Sequence, residues 1–360
     1  MQHYSRRQTW VYVTGGLFLW CWAAPTRAWD SYGGNPRNPT HTRFTEWALE
    51  ELRHEFPDLY AHRKSLIEGC NAEVHLGTLY VGEEFGSERP RDWWLAAQDA
   101  WRVGNDEGYY LYLGALLHLI QDMGVPAYAH KLPHCAPFSD PGNPDAKYDP
   151  FELLAYGHWD PDLRSLSRTD PGYEEPWQYY DLNREWTLAD TPDYKADACP
   201  KAWSVAAEEY RWLVRARQAR TCAATKWALR CSALKRVPRF DPAHQDADTA
   251  VLSVTVTTAA DKDAGTDDLV FLSIGEREWW LNIPHHDDFE PGQTDTFVLA
   301  PANRGEVREI VLRKGKDVTG PWKVASLVVR LGEQVIYQKE SLGIVLKNGA
   351  SEWRAERLRP

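Results

Sequence analysis

Between Tyr109 and Asp122, Leu113, Leu116, Leu117 and Ile120 recur at steps of three and four, the spacing that lays an apolar stripe along one face of an α-helix. Gly124 and Pro126 stop that helix. A helical pattern covers Thr40 to about Leu234, with further helices predicted over Thr42 to Phe56, Trp93 to Val103, Pro150 to Tyr156 and Trp203 to Leu234. The stretches Pro137 to Asp149 and Ser165 to Pro200 are rich in Pro, Asp, Gly and aromatics and read as long surface loops or lids. After Pro238 to Asp248, a polar, proline-bearing linker, the period drops to 2: Leu252, Val254 and Val256 alternate with Ser253, Thr255 and Thr257. Strand candidates then recur at Leu269 to Ile274, Glu278 to Ile283, Thr294 to Leu299, Glu309 to Arg313, Lys323 to Leu331 and Gln334 to Gln338, a rhythm that predicts an antiparallel sandwich. The fold class is therefore multi-domain: an all-α domain over 29–238, a linker over 239–248, an all-β antiparallel sandwich over 249–340 and a tail over 341–360.

The first 28 residues read as an export signal. Arg6 and Arg7 precede the apolar stretch Trp10 to Ala24, and Thr26-Arg27-Ala28 offers small residues for cleavage, which would leave Trp29 first. Ser5-Arg6-Arg7 also resembles a twin-arginine signal, so both export routes stay open. The apolar run is shorter than the ~20 residues a membrane anchor needs. Of the six cysteines, Cys21 leaves with the signal. Cys70, Cys135, Cys199, Cys222 and Cys231 remain, an odd number that implies up to two bridges and a spare thiol in an oxidising compartment. None has zinc-finger spacing, so any metal must be held by histidines and carboxylates.

Charge narrows the partners. The formal net charge is −11, and the signal removes Arg6, Arg7 and Arg27 without removing an acid. A long polyanion needs a basic track that releases counterions, so no nucleic-acid partner is expected. With 26% charged and 43% hydrophobic residues the chain is globular. Trp93, Trp94, Trp203 and Trp212 read as core residues, Asp160 to Asp162 as a solvated loop face, and the basic run Arg211 to Arg220 as the polar stripe of the last helix.

His118 and Asp122 stand at i and i+4 on the clearest helix, so both project from one face. A carboxylate on a mostly buried helix calls for a cation, and a divalent metal is the candidate. Other ligand-type residues flank the pair: His41, Glu73 and His75 upstream, His130, His134 and Glu152 downstream. Nitrogen and carboxylate donors without thiolates suit zinc in an open site, and the α-amino group of Trp29 can join them once deprotonated. In the second half, Asp263, the Gly265 carbonyl, Asp267, Asp287 and Asp288 make an oxygen-rich set that suits calcium, although Asp and Gly are also the ordinary residues of turns.

These residues carry a resemblance. Trp29 at a cleavage site, His41, the run Ala100-Trp101-Arg102-Val103-Gly104-Asn105, and Tyr112-Leu113-Gly114-Ala115-Leu116-Leu117-His118-Leu119-Ile120-Gln121-Asp122 with Pro126 resemble the zinc-dependent phospholipases C of the alpha-toxin type. Asp263-Ala264-Gly265-Thr266-Asp267-Asp268, Trp280, Asp287-Asp288-Phe289 and Gly292-Gln293-Thr294-Asp295-Thr296-Phe297 resemble the PLAT lipid-binding sandwich that follows the catalytic domain in those toxins. The resemblance implies two or three zinc ions. Trp29, His41 and Asp122 would hold one, His118 and Asp122 with Glu73 and His75 a second, and His130 or His134 with Glu152 the third. Tyr128 and Tyr148 stand where the family carries histidines, with His158 a candidate replacement for the second. Gly320 replaces a family aspartate, leaving Asp317 close by, and the loop Lys314 to Gly320 lacks the exposed aromatics of the toxins. The implied activity is zinc-assisted attack of water on the glycerol-side phosphodiester of a phospholipid, with Asp122 or Glu73 taking the proton, by a monomer docked on a membrane surface with calcium in its sandwich. Two other readings stay open: a zinc-dependent single-strand nuclease, which has a similar helical fold, and a lipid-binding protein whose metal site has decayed.

Overall fold

The computed structural model of the chain describes residues 40–71, 88–130, 161–162, 169–192, 203–241, 243, 249–275, 277–314, 320–347 and 351–355. The export signal, Trp29, Glu73, His75, Cys135, His134, Tyr148, Glu152, His158, Cys199 and Asp317 lie outside them, as do the loop Pro137 to Asp149 and the helix expected over Pro150 to Tyr156. Described helices are α1 Thr40–Leu52, α2 Pro57–Ala61, α3 Arg63–Asn71, α4 Glu88–Arg102, α5 Asp106–Asp122, α6 Pro126–Ala129, α7 Gln178–Asp190 and α8 Trp203–Leu234. None is long and apolar enough to cross a membrane.

Helix α5 starts where Asn105 accepts a hydrogen bond from Gly108 N at 2.9 Å, with Asp106 and Glu107 in the first turn, where carboxylates meet the positive end of the helix. The expected single stripe is too narrow a description. Tyr109, Tyr110, Leu111, Tyr112, Leu113, Leu116, Leu117 and Ile120 are all buried, so α5 is a central helix covered on nearly every side. Its closest neighbour is α3, and glycine sets the approach. A Cβ on Gly69 would fall 1.9 Å from the Leu111 carbonyl oxygen, and one on Gly114 would fall 2.3 Å from that of Leu66. The two backbones touch because neither residue has a side chain at the crossing.

Several elements differ from the sequence expectation. The stretch Ser165 to Pro200, read as a loop, contains α7, whose Tyr179, Leu182, Asn183 and Trp186 fall at i, i+3, i+4 and i+7 and are buried. The basic run Arg211 to Arg220 is not wholly a polar stripe. Arg217 is fully buried, its guanidinium donating to the Asn183 carbonyl and side chain, to Gly124 O and to Asp190, and so ties α8 to α7 and to the turn after α5. Trp93 and Trp94 are buried as expected, whereas Trp212 is 68% exposed. Cys70, Cys222 and Cys231 are buried free thiols, so none of these three enters one of the expected bridges.

The C-terminal half is two packed antiparallel sheets. Their strands are β1 Thr249–Thr258, β2 Val270–Ile274, β3 Arg277–Trp280, β4 Thr294–Asn303, β5 Ile310–Lys314, β6 Trp322–Leu331, β7 Gln334–Lys339, β8 Ile344–Leu346 and β9 Ser351–Arg354. One sheet runs β4-β1-β6-β7 with β8 on β6, and the other runs β3-β2-β5-β9. Leu252, Val254 and Val256 point into the core, while Thr255 and Thr257 bond Thr296 and Thr294 across the outer face at 2.9 and 3.0 Å. The stretch 341–360, read as a tail, supplies β8 and β9, so the sandwich extends beyond residue 340.

The two halves meet through specific contacts. Tyr112 Oη on α5 donates to Trp280 O at 2.7 Å, and the Trp280 ring sits edge-on to Trp93 of α4 with centroids 6.3 Å apart. Arg277 of β3 pairs with Asp99 of α4, and His285 Nδ1 lies 2.8 Å from Glu68 of α3.

Candidate metal centre

The crossing of α1, α3 and α5 brings together His41, His118 and Asp122, all nearly inaccessible to solvent. His41 Nε2 lies 3.5 Å from Asp122 Oδ1, and His118 Nε2 lies 3.3 Å from Asp122 Oδ2. One carboxylate thus offers a separate oxygen to each imidazole. The rings stack with centroids 4.3 Å apart and planes 22° from parallel.

The other ring nitrogens fix the protonation pattern. His118 Nδ1 is 2.8 Å from the Cys70 carbonyl, which only accepts, so Nδ1 carries a hydrogen. His41 Nδ1 is 2.8 Å from Gln121 Oε1. That amide cannot be turned round without loss, because its Nε2 donates to Thr225 Oγ1, whose own hydrogen is committed to Thr221 O. Nε2 of Gln121 also donates to Thr45 Oγ1 at 3.1 Å. Both histidines therefore carry hydrogen on Nδ1 and, in the neutral form, direct an Nε2 lone pair toward a carboxylate. Protonating both would place two imidazolium rings face to face. A dication among these donors satisfies both lone pairs and the carboxylate, and an Nδ1–H bound to a carbonyl is the usual support of a metal-ligating histidine. The residues present fit zinc, a metal that takes imidazole nitrogen and carboxylate oxygen.

Cys70 supports the centre without joining it. Its Sγ donates to Gln121 Oε1 at 3.2 Å, and burial pushes the thiol up to about 12. Cys222 and Cys231 are raised by burial too. In the native chain all three should resist iodoacetamide at pH 8, with alkylation at least about 100-fold slower than after denaturation, since the thiolate is the nucleophile; peptide mapping by mass spectrometry would read each cysteine separately.

Of the expected zinc ligands, the structure unites His41, His118 and Asp122. His130 is not brought into this group. Its Nε2 donates to Thr191 Oγ1 at 3.1 Å, because that hydroxyl's own hydrogen is used on Thr187 O. Trp29, Glu73, His75, His134 and Glu152 lie outside the described residues. Sequence reasoning missed Gln121, Thr45 and Thr225, three buried polar residues that orient His41; the only sign was a Gln next to Asp122 on an otherwise apolar helix.

The expected calcium set separates in the sandwich. Asp267 and Asp287 come together with Glu290, all three exposed, while Asp263 is exposed and outside that group. Gly265 passes close to the same loop, since a Cβ there would lie 3.0 Å from Phe289 O and 2.9 Å from Pro291 Cδ. Asp288 turns the other way, toward His286 and Asp295, so it does not share a cation with Asp287. Burial pushes the Asp288 carboxyl up to about 7, with Asp295 and Glu68 adding to the rise and the Ile283 N–H and His286 opposing it. Lys314 anchors the acidic loop from within through a fully buried ion pair with Asp268 at 2.5 Å.

Residues 252–347 match the PLAT/LH2 domain family. A phospholipase C of Clostridium novyi is 33% identical over 100 residues, which span 25% of this chain and 25% of that protein. The chain thus aligns with about a quarter of the length of that relative. Among solved structures, the alpha toxin of Clostridium absonum aligns over 90% of this chain and 98% of its own, at 17% identity and a TM-score of 0.42. The Clostridium perfringens alpha-toxin covers 91% and 99%, at 16% identity and 0.42. A coral 8R-lipoxygenase covers 29% of this chain and 16% of its own, at 20% identity and 0.25. The sandwich is a PLAT/LH2 domain, and the chain that carries it behind a helical domain resembles the phospholipases C of the alpha-toxin type.

Proposed function

We propose that the chain is an exported, zinc-dependent phospholipase C that splits the glycerol-side phosphodiester of membrane phospholipids into diacylglycerol and a phosphorylated head group. The observation that carries this reading is the buried Asp122 carboxylate facing the Nε2 atoms of both His41 and His118. Zinc bound there supplies a Lewis acid for the phosphoryl oxygens and lowers the pKa of water. The chain's own residues do the rest. Asp122, with one oxygen toward each ring, would hold zinc together with His41 and His118 and would take a proton from attacking water. Gln121 and the Cys70 carbonyl hold the imidazoles in the tautomer that keeps both Nε2 atoms available. Trp29 through its amine, Glu73, His75, His134 and Glu152 are proposed to complete a set of two or three ions, with Glu73 the second proton acceptor.

The PLAT domain is the proposed lipid-docking part, with calcium held between Asp267 and Asp287 and the membrane phosphates. Zinc-loaded full-length protein should release phosphocholine from phosphatidylcholine vesicles and leave single-stranded DNA intact. A strong chelator should stop the reaction, and added zinc should restore it. Cleavage of DNA without lipid hydrolysis, or lipid hydrolysis that survives chelation, overturns the assignment.

A further inference from the structure

The loop between β3 and β4 contains two residues other than glycine with positive φ, His285 and Phe289, both at 63°. Such backbone persists only where its surroundings hold it. Phe289 is held by ring contacts with Phe297 and Trp322 and by its N–H, which donates to Asp295 Oδ2 at 2.9 Å. His285 is held by the helical domain, its N–H and its Nδ1 both on Glu68. Between these two anchors the chain carries His286, Asp287 and Asp288, and turns Asp288 inward.

A second group of metal-type donors results. His286 Nε2 lies 3.2 Å from Asp295 Oδ1 and 3.9 Å from Asp288 Oδ1. The Asp288 and Asp295 side chains are 8% and 1% exposed, whereas that of His286 is 44% exposed. Asp288 Oδ2 accepts the Ile283 N–H at 2.8 Å, but Oδ1 is buried, has no hydrogen-bond partner and faces the other two residues. Gln293 constrains the hydrogens. Its Oε1 accepts the Glu290 N–H at 3.1 Å, which leaves Nε2 to donate to Asp295 Oδ1 at 2.8 Å and toward His286 Nε2 at 2.5 Å. A His286 Nε2 that accepts this hydrogen spends its one lone pair on Gln293, so an ion bound here takes the place of the Gln293 N–H between His286 and Asp295.

We propose that His286, Asp288 and Asp295 form a cation site for a zinc-class transition ion, separate from the helical centre and from the exposed acids Asp267, Asp287 and Glu290. Two carboxylates and a neutral imidazole match a dication in charge. Ligands of a tetrahedral zinc stand about 3.3 Å apart, close to the 3.2 Å between His286 Nε2 and Asp295 Oδ1. Calcium takes 6 to 8 oxygens and has no use for the imidazole. The exposed edge of His286 leaves room for water in the remaining position. An ion held here braces the loop whose neighbouring residue, His285, grips Glu68, so it would tie the sandwich to α3.

The test is zinc content per chain, by elemental analysis of the zinc-loaded full-length protein in millimolar calcium. His286→Ala alters an exposed side chain and Asp288→Asn keeps the acceptor for Ile283 N–H, so both should fold. Each should carry about one zinc ion fewer than the parent, while Asp122→Asn, emptied at the helical centre, should keep this one. Unchanged zinc in both loop variants overturns the site, and so does displacement of its zinc by calcium. Neither result bears on the helical centre, whose own test is the loss seen in Asp122→Asn.

Discussion

Asp122→Asn should empty the helical centre and lower phosphodiester hydrolysis by at least about 1000-fold, equivalent to roughly 4 kcal/mol of barrier. The substitution is nearly isosteric, so packing is kept, but the side chain loses its charge and exchanges one acceptor for an NH₂ donor. Facing the Nε2 lone pairs of His41 and His118, that donor makes a hydrogen bond where the carboxylate offered only another acceptor. The metal-free variant should therefore melt no lower than the metal-free parent, while the zinc-loaded parent melts higher than both because it binds a ligand that the unfolded chain does not. Zinc analysis, the rate on phosphatidylcholine, and thermal melts with and without chelator separate these effects. Near-parental turnover would refute the shared-carboxylate reading.

Gly69→Ala should be the most damaging small substitution in the helical domain. The added methyl would sit 1.9 Å from the Leu111 carbonyl oxygen, a backbone atom that moves only if α5 moves. Separating α3 from α5 loosens the contacts of Leu66 and Leu111, both fully buried, and should destabilise by about 3 kcal/mol or more. It also lifts the Cys70 carbonyl away from His118 Nδ1, so zinc affinity should fall by about 10- to 100-fold in the molecules that remain folded. Gly114→Ala, which meets Leu66 O from the opposite side at 2.3 Å, should behave alike. Urea titration gives the stability and competition with a chromophoric chelator gives the affinity. A Gly69→Ala protein as stable as its parent would show that the two helices do not touch.

The parts of the fold that were legible in sequence are those where one periodicity dominates. Leu113, Leu116, Leu117 and Ile120 announce α5 because these aliphatic residues recur at steps of three and four, although burial extends round nearly the whole helix, and Leu252, Val254 and Val256 announce β1 because burial repeats at 2. Helix α7 was hidden because its buried Tyr179, Leu182 and Trp186 lie among residues whose composition reads as loop. Arg217 was hidden because a guanidinium is buried only where Asn183, Asp190 and Gly124 O converge, and no local pattern reports that. The site divides in the same way. His118 and Asp122 share a face through i, i+4 spacing, whereas His41 reaches them only through the packing of α1 against the core: residue type offered it as one ligand among several, and the family resemblance paired it with Asp122. Gln121 shows its role only once His41, Thr45 and Thr225 are in place around it. Asp287 and Asp288 are adjacent acids with opposite fates, decided by the loop on which they sit, with Phe289 buried and His285 docked on Glu68. A string of letters gives both the same expectation.

What orients His118 is main chain: the oxygen of Cys70, not its sulfur. The identity of residue 70 is thus free to drift among small uncharged side chains without turning the imidazole. A one-step slip of α3 along α5 would turn it at once, even with every amino acid unchanged. Selection on this centre is expected to weigh on Gly69 and Gly114 as well as on the candidate ligands, although neither glycine belongs to that set.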